Sequence, residues 1–172
     1  MPRSDLWGFG KRDFSIELWV QFHALTPSHD IGHPSAVFIG CDEGNNIPGG
    51  GNKWFFAYGR GLLNFHICYP NGKGGFYAQG GFSPHLDQWY HLVVTRSRRT
   101  FTIYVNGAPV ASQKVDVIIT SPDAPLTIGQ AEGIGFVIGL IDEIAIYDRA
   151  LSAAEVKARY SALAPATRKE NK

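Results

Sequence analysis

Strict alternation of apolar and polar side chains is the feature of this sequence that most limits its fold. The segment FSIELWVQF (residues 14–22) places an apolar side chain at every second position from Phe14 to Phe22. A period of two is typical of a half-buried β-strand. The same alternation returns in WYHLVVTR (residues 89–96) and TFTIYVN (residues 100–106). The sequence therefore predicts sheets that each bury one face.

Turn-forming residues separate these strand-like segments. Asn106-Gly107 follows one of them, and Asn-Gly between alternating segments strongly indicates a hairpin because both central positions of the turn need positive φ. No helical segments alternate with the strands, which excludes a βαβ fold. We predict an all-β, two-sheet antiparallel β-sandwich. The predicted strands are residues 14–22, 36–40, 53–58, 62–69, 76–79, 89–96, 100–106, 108–115, 125–129 and 136–148.

Only the end of the chain has a helical pattern. Ser152 and Glu155 form a capping box, in which each side chain accepts a hydrogen bond from the other residue's backbone amide. Apolar residues at helical spacing follow it. We expect a short helix over residues 153–163, a single domain over residues 1–164 and a disordered tail over residues 165–172.

Charge and apolar content exclude several classes of partner. The formal net charge is +1, with 16 basic and 15 acidic residues, and no predicted element carries a basic stripe, so we expect no nucleic acid partner. No apolar run approaches the roughly 18 residues that cross a bilayer, so we expect no membrane insertion. The N-terminal segment MPRSDLWGFGKRDF has no apolar centre, so we expect no signal peptide in this chain.

The two cysteines, Cys41 and Cys68, fall at the same end of a predicted sheet with one strand between them. Normal strand spacing then separates them by roughly 9 to 10 Å, and a disulfide needs less than roughly 7 Å. Two free thiols are therefore favoured over a bridge, although secreted domains more often pair their cysteines.

Four segments, in order, resemble laminin-G-like, concanavalin A-like jelly-roll domains, to which the pentraxins are related. They are DFSIELWV, QWYHLVVTRSRRTFTIYVNGAPVA, APLTIGQ and GLIDEIAIYDRALSAAEV, and they cover most of residues 13–160. The resemblance implies a secreted or cell-surface domain that binds glycans or proteins, often within a larger bacterial protein. Such domains normally have a strand before the segment at residues 4–13. We therefore expect the first strand to be lost, truncated or supplied by preceding sequence, and the unpaired edge to favour association.

The resemblance to pentraxins also implies candidate calcium ligands. Those relatives hold calcium with residues after an early strand and after an Ile-Gly-Gln segment, which here supply Asp42, Asn45 and Asn46 and then Glu132. Related sandwiches also use an aspartate in the last long strand, here Asp142. Calcium prefers six to eight oxygens of this kind. The alternatives are a solvated loop and, for Asp142, a structural hydrogen-bonding role.

A glycan site generally combines an aromatic ring with planar polar side chains, because a pyranose has an apolar C–H face and a fringe of hydroxyls. The middle strands and their turns supply Trp54, Tyr58, Asn64, His66, Tyr69 and Tyr77. Alternation puts Trp54 and Tyr58 on one face, which is either the core or a ligand surface. Trp19 and Trp89 are predicted as core or inter-sheet residues.

No sequence pattern indicates catalysis. The laminarinase-type glycoside hydrolases of the concanavalin A-like superfamily align carboxylates as E-x-D-x-E or E-x-D-x-x-E, and this chain has no such triplet. Asp142 and Glu143 are adjacent, so they are predicted on opposite faces of a strand. We therefore predict a noncatalytic module for a glycan or polysaccharide. The alternatives are a protein-interaction or adhesion domain and a structural spacer without a ligand.

Overall fold

The computed structural model describes residues 2, 4–26, 34–44, 51–69, 75–131 and 133–163, without the side chains of residues 76 and 77. This part of the chain is mostly β-strand, as the alternation predicts. Its elements are a short 3-10 helix (Asp5–Trp7), β1 (Phe14–Ala24), β2 (Ala36–Asp42), β3 (Lys53–Gly59), β4 (Leu62–Cys68), β5 (Gly75–Gly81), β6 (Trp89–Ser97), β7 (Thr100–Val105), β8 (Ala108–Lys114), β9 (Leu126–Ile128), β10 (Ile138–Tyr147) and α1 (Ala153–Leu163). The predicted tail, residues 165–172, lies outside the described residues.

The strands form two antiparallel five-stranded sheets, so the predicted sandwich is confirmed. The first sheet has the order β10-β1-β6-β7-β8, and the second has the order β5-β4-β3-β2-β9. Asn106 and Gly107 turn β7 into β8 with φ of +50° and +78°. The first and last strands pair with each other, and β1 thereby lies between β10 and β6.

The core lies between the sheets and contains the apolar face of each strand. In β1, Phe14, Leu18 and Phe22 are fully buried there. Burying one such side chain contributes about 1.5 to 3 kcal/mol. The alternation along β1 thus explains why one face of this strand packs against the other sheet.

The two long sides of the sandwich differ. On one side β5 approaches β8 closely: a Cβ at Gly80 would lie 2.9 Å from a methyl carbon of Val110. On the other side β9 and β10 stay apart and leave an apolar groove of about 470 Å³. Its apolar lining includes Ile128, Ile144 and Ile146. We call this the β9/β10 groove.

Helix α1 lies on the outer face of the first sheet. A buried carboxylate of that sheet holds it there. Glu17 of β1 is 2% exposed and accepts hydrogen bonds from the Tyr147 hydroxyl and from Arg159 Nε, each at 2.8 Å. His91 Nε2 lies 2.8 Å from the other carboxylate oxygen. Burial raises the pKa of Glu17, but the hydrogen bonds from His91, Arg159 and Tyr147 outweigh it and lower the pKa to about 2. Glu17 therefore stays charged while it holds the helix to the sheet.

The cysteines are free, as favoured from their spacing. Strand β3 lies between them, and Cys41 packs in the core while Cys68 is half-buried. Desolvation raises the pKa of the Cys41 thiol to about 11, as expected for a thiol packed in apolar surroundings.

Among the described residues, no helix is long and apolar enough to cross a membrane.

Candidate functional site

Two of the predicted aromatic ligand residues lie in the core. Trp54 is fully buried, stacks on Phe65 at 5.9 Å and donates from Nε1 to the Trp7 carbonyl oxygen at 2.7 Å. Tyr58 is 8% exposed and packs against Phe82. The sequence left open whether the face of β3 that carries Trp54 and Tyr58 is the core or a ligand surface. The structure shows that it is the core. Neither ring presents a surface to a ligand in this structure.

Asn64 and His66 lie on the opposite, outer face of the second sheet. Both are only 3% exposed, and the His66 ring stacks on Phe55 at 4.4 Å. Burial and then the nearby Lys53 charge lower the pKa of His66 to about 4. Within the described part of the chain, the Asn64 Oδ1 atom is buried without a hydrogen-bond partner. The pair remains a proposed contact, but ligand access to it would need a rearrangement.

Of the two remaining aromatic candidates, one lies in β5 and the other follows β4. Tyr77 lies opposite His66 in the β4–β5 pairing, and its side chain lies outside the described part. Tyr69 follows β4, is half-buried and packs against the core. The structure thus brings Asn64, His66 and the Tyr77 backbone together and separates them from the other predicted aromatic residues.

The two carboxylates of the predicted calcium loop that the structure describes accept hydrogen bonds from backbone amides. Asp42 accepts from Gly44 N at 2.8 Å and lies 3.3 Å from Lys53 Nζ. Glu43, its neighbour, accepts backbone hydrogen bonds from Asn52 at 2.9 Å and from Asp123 at 2.6 Å. Backbone amides and the Lys53 ammonium thus contact carboxylate oxygens that a calcium ion would also use.

Asn45, Asn46 and Glu132 lie outside the described residues. Asp142, the separate calcium candidate, lies in β10 and accepts a hydrogen bond from Glu143 N. Across the described ranges, no three His, Cys, Asp or Glu side chains are placed to share a metal ion. Calcium binding stays a prediction.

A cavity of about 280 Å³ lies on the first sheet, beside the C-terminal end of α1. It is lined by Trp19, Trp89, Asp142, Glu143 and Leu163, and we call it the tryptophan–carboxylate cavity. Trp19 of β1 pairs with Asp142 of β10, so both side chains fall on the outer face of this sheet. The cavity therefore begins where helix α1 ceases to cover that face.

A β-bulge in β10 brings both carboxylates into this cavity. Glu17 pairs with Ala145 and Trp19 pairs with Asp142, so β10 has one residue more than β1 between these pairs. Glu143 takes up the extra length with φ of +51°. The prediction that adjacent carboxylates point to opposite faces is wrong here, because a bulge changes the direction of a side chain. The Asp142 carboxylate also accepts from Glu143 N at 2.8 Å.

The two tryptophans supply different surfaces to the cavity. Trp19 is 4% exposed and stacks on Tyr160 of α1 at 5.8 Å. Trp89 is half-buried. The prediction that both are core or inter-sheet residues is therefore wrong in location, since both lie on the outer face, and only Trp19 is buried. A tryptophan at a strand end gives no sequence indication of which face it occupies.

The Trp19 Nε1 atom is buried out of reach of solvent and has no hydrogen-bond partner among the described residues. An indole N–H can only donate, and leaving it unpaired costs about 1 to 3 kcal/mol. The side chains that a ligand can reach here are the half-buried Trp89 ring and the exposed carboxylates of Asp142 and Glu143. A ring of this kind packs against carbon skeletons, and carboxylates accept hydrogen bonds from hydroxyl groups.

A family model described as the concanavalin A-like lectin/glucanases superfamily matches residues 3–157. A search of the curated proteins finds no match. Among solved structures, the chain is similar to domain 4 of AbnA, a GH43 extracellular arabinanase from Geobacillus stearothermophilus, in complex with arabinotriose. That comparison gives 19% identity and a TM-score of 0.66, and it covers 87% of this chain and 66% of the other.

Binding domains of larger proteins are also similar in structure. The botulinum neurotoxin serotype D ligand binding domain in complex with N-acetylneuraminic acid matches with 17% identity and a TM-score of 0.62, over 88% of this chain and 37% of the other. The binding domain of Paraclostridial Mosquitocidal Protein 1 matches with 19% identity and a TM-score of 0.62, over 94% and 40%. The chain thus spans less than half of the toxin domains and just under two thirds of the arabinanase domain. These likenesses show the shared fold.

Proposed function

We propose that this chain, which belongs to the concanavalin A-like lectin/glucanases superfamily, is a noncatalytic glycan-binding module within a larger secreted or cell-surface protein. Two structural neighbours were solved with sugars, arabinotriose and N-acetylneuraminic acid. The observation that carries the proposal is the half-buried ring of Trp89 beside two exposed carboxylates in one cavity.

Binding would proceed by filling the tryptophan–carboxylate cavity with one sugar residue. The C–H face of the sugar packs on Trp89, and hydroxyls donate to the two carboxylates. The volume of about 280 Å³ is at the small end for ligand cavities. It suits a single residue of a longer glycan, whose remaining residues would lie in solvent.

The exposure of the carboxylates supports binding rather than hydrolysis. Asp142 and Glu143 are both exposed. A glycoside hydrolase needs one carboxyl group protonated as a general acid, and apolar surroundings usually supply that condition. Two solvated carboxylates on one bulge are instead suited to accepting hydrogen bonds from sugar hydroxyls.

Replacing Trp89 with alanine tests the proposal. Affinity gels and calorimetry with a panel of soluble polysaccharides, with and without calcium, should identify a ligand of the native chain. Trp89→Ala should then weaken its binding roughly tenfold, which corresponds to about 1.4 kcal/mol. Trp7→Ala is the matched control, since Trp7 is also half-buried but lines the β9/β10 groove. The proposal fails if the native chain binds no polysaccharide, or if both variants bind equally well.

A second candidate function is a protein-interaction or adhesion domain, and the β9/β10 groove favours it. Leu6 and Ile128 line this groove and are 67% and 45% exposed. Exposed apolar surface of this kind marks protein contact sites. Replacing Ile128 with aspartate should abolish binding to a protein partner and leave polysaccharide binding unchanged, whereas Trp89→Ala should do the reverse.

A further inference from the structure

We infer that the open side of the sandwich, at β9 and β10, binds a β-strand of a partner protein in which apolar side chains alternate with basic ones. The added strand pairs with the free edge of β10. Its apolar side chains enter the β9/β10 groove, and its basic side chains lie beside Asp142 and Glu143. The inference rests on the second candidate function, for which it names the partner, and it does not depend on glycan binding.

An inward-facing side chain of β9 remains uncovered on this side of the sandwich. Ile128 pairs with Ile39 of β2, which lies in the core, so Ile128 also points between the sheets. Ile128 is nevertheless 45% exposed. On the closed side, Ala78 of β5 pairs with the core residue Phe65 in the same way and is only 2% exposed. The described residues therefore complete the core at the β5/β8 side but not at the β9/β10 side.

Strand β10 shows the same incomplete burial on its inward face. Ile141 and Ile146 pair with Val20 and Ile16 of β1, which are fully buried. The two β10 residues pack against the core but are only half-buried. The difference arises because β1 has a neighbour on each side, whereas β10 has no partner beyond β1 among the described strands. A further strand beside β10 would complete this cover.

The free edge of β10 favours a polypeptide backbone over other apolar ligands. Every second residue of an edge strand directs its N–H and C=O groups away from the sheet. A lipid chain in the groove would cover these groups without pairing them, and burying an unpaired backbone group is unfavourable. An added strand pairs them and fills the groove with its alternate side chains.

The charge of β10 selects basic residues on the outward face of the added strand. Asp142 and Glu143 are exposed and line the cavity on the outer face of the first sheet. Side chains directly opposite each other on neighbouring strands lie about 5 Å apart, and opposite charges there stabilise the pair. Two copies of β10 that pair along their whole length would instead bring four carboxylates together. Self-pairing is therefore the weaker interaction and requires high concentration.

Fluorescence anisotropy with labelled ten-residue peptides, which match β10 in length, tests the inference. In the first peptide isoleucine alternates with lysine, and in the second it alternates with glutamate. The third has the composition of the first without the alternation. The native chain should bind the first peptide about tenfold more tightly than the other two. NaCl at about 500 mM should reduce the preference for lysine over glutamate, because salt screens exposed charges.

Two variants at residues of similar exposure separate the groove from the closed side. Ile128→Asp puts a charge into the groove and should weaken binding of the isoleucine–lysine peptide about tenfold. Val110→Asp is the matched control, since Val110 is 41% exposed on β8, where β5 approaches, and this variant should bind as the native chain does. Asp142→Asn should reduce the preference for lysine over glutamate severalfold. Circular dichroism would confirm that each variant is folded.

Hydrogen exchange distinguishes strand addition from side-chain contact alone. With the isoleucine–lysine peptide bound, amides of β10 should exchange about tenfold more slowly, whereas those of β8 should be unchanged. Both measurements use the native chain, so they decide the matter even if a variant does not fold.

Each outcome decides between the proposals. The inference is overturned if the native chain binds none of the peptides, if it binds all three equally, or if Ile128→Asp binds as the native chain does. Binding that leaves exchange in β10 unchanged would reject strand addition but keep a protein-interaction function. Polysaccharide binding is measured separately, and Trp89→Ala should leave peptide binding unchanged. Failure of the peptides therefore leaves the glycan-binding proposal intact, and failure of the polysaccharides leaves the strand inference intact.

Discussion

Glu17 shows how a single buried charge depends on its donors. Its pKa is lowered to about 2 from 4.5, so the folded state favours its charged form. This contribution to stability is complete above pH 4.5 and is lost as the pH falls towards 2. Urea unfolding should therefore show a free energy that declines across this window, and the decline should be smaller in Glu17→Gln.

The same variant should also be less stable at neutral pH. Glu17→Gln weakens hydrogen bonds to Arg159 and Tyr147 and leaves their polar groups poorly paired, which costs about 1 to 3 kcal/mol. Asp116→Asn, at an exposed carboxylate, is the control and should change the unfolding free energy by less than about 0.5 kcal/mol. Equal stability of the two variants near pH 7 would contradict this account of Glu17.

Gly139 is required because two strands approach closely at its position. A Cβ there would overlap the Gln21 carbonyl oxygen of β1. Gly139→Ala should therefore destabilise the protein by about 1 to 3 kcal/mol and lower Tm by several degrees. Gly81→Ala is the matched control, since a Cβ at Gly81 meets no atom within 4 Å. Calorimetric scans of the two variants would disagree with this interpretation if their Tm values fell by the same amount.

What the sequence predicts for single residues depends on whether the cause is local. A glycine within an apolar strand, such as Gly139, indicates a bulge or a close approach, and the structure shows a close approach. Whether Trp54 faces the core or a ligand depends on which side of β3 the other sheet lies. Alternation within β3 does not give that information. The position of Trp89 at a cavity depends on where helix α1 ends over the first sheet, which no local pattern reveals.

At the scale of single elements, α1 is formed by its capping box. Ser152 N donates to the Glu155 carboxylate at 2.8 Å, and Glu155 N donates to Ser152 Oγ at 3.3 Å. Ser152→Ala should cost about 1 kcal/mol and loosen the cover over Trp19, which tryptophan fluorescence would report. Ser161→Ala, in the exposed last turns of the same helix, should be neutral or slightly stabilising. The capping account is wrong if Ser161→Ala destabilises as much as Ser152→Ala.

The helix and the bulge differ in how well the sequence predicts them. The helix occupies Ala153–Leu163, as predicted, because its caps and its period lie within the segment itself. The bulge at Glu143 arises from the register of β10 against β1, which lies more than a hundred residues earlier. The sequence of β10 alone does not determine how β10 is aligned with β1. The site that depends on the bulge was therefore beyond sequence analysis.

At the scale of the whole molecule, the open side of the sandwich predicts association. Strand β10 has no partner beyond β1 among the described strands, and Ile138 is 44% exposed on it. An unpaired apolar edge favours pairing with another chain, and an edge lysine prevents it. Light scattering should show a mass above 18.9 kDa at high concentration, and Ile138→Lys should return it towards the monomer. Leu86→Lys, at a loop residue of similar exposure, should not, and a strictly monomeric native chain would reject the prediction.

The overall architecture was the most predictable level. Two sheets, the hairpins and the final helix follow from period, turn residues and caps, each of which acts over a few residues. The order of strands within the sheets, with β1 between β10 and β6, is set by packing across the whole chain. The open β9/β10 side follows from that order, so it appears only in three dimensions.

The backbone of Glu143 also bears on how this protein would change under selection. Glycine adopts a left-handed conformation without strain, so a variant with glycine at this position would fold more easily. Screening for heat resistance alone should therefore enrich that replacement, and with it would go one of the two charges in the cavity. Selection for thermal stability would thus favour glycine at position 143, whereas selection for ligand binding would favour glutamate.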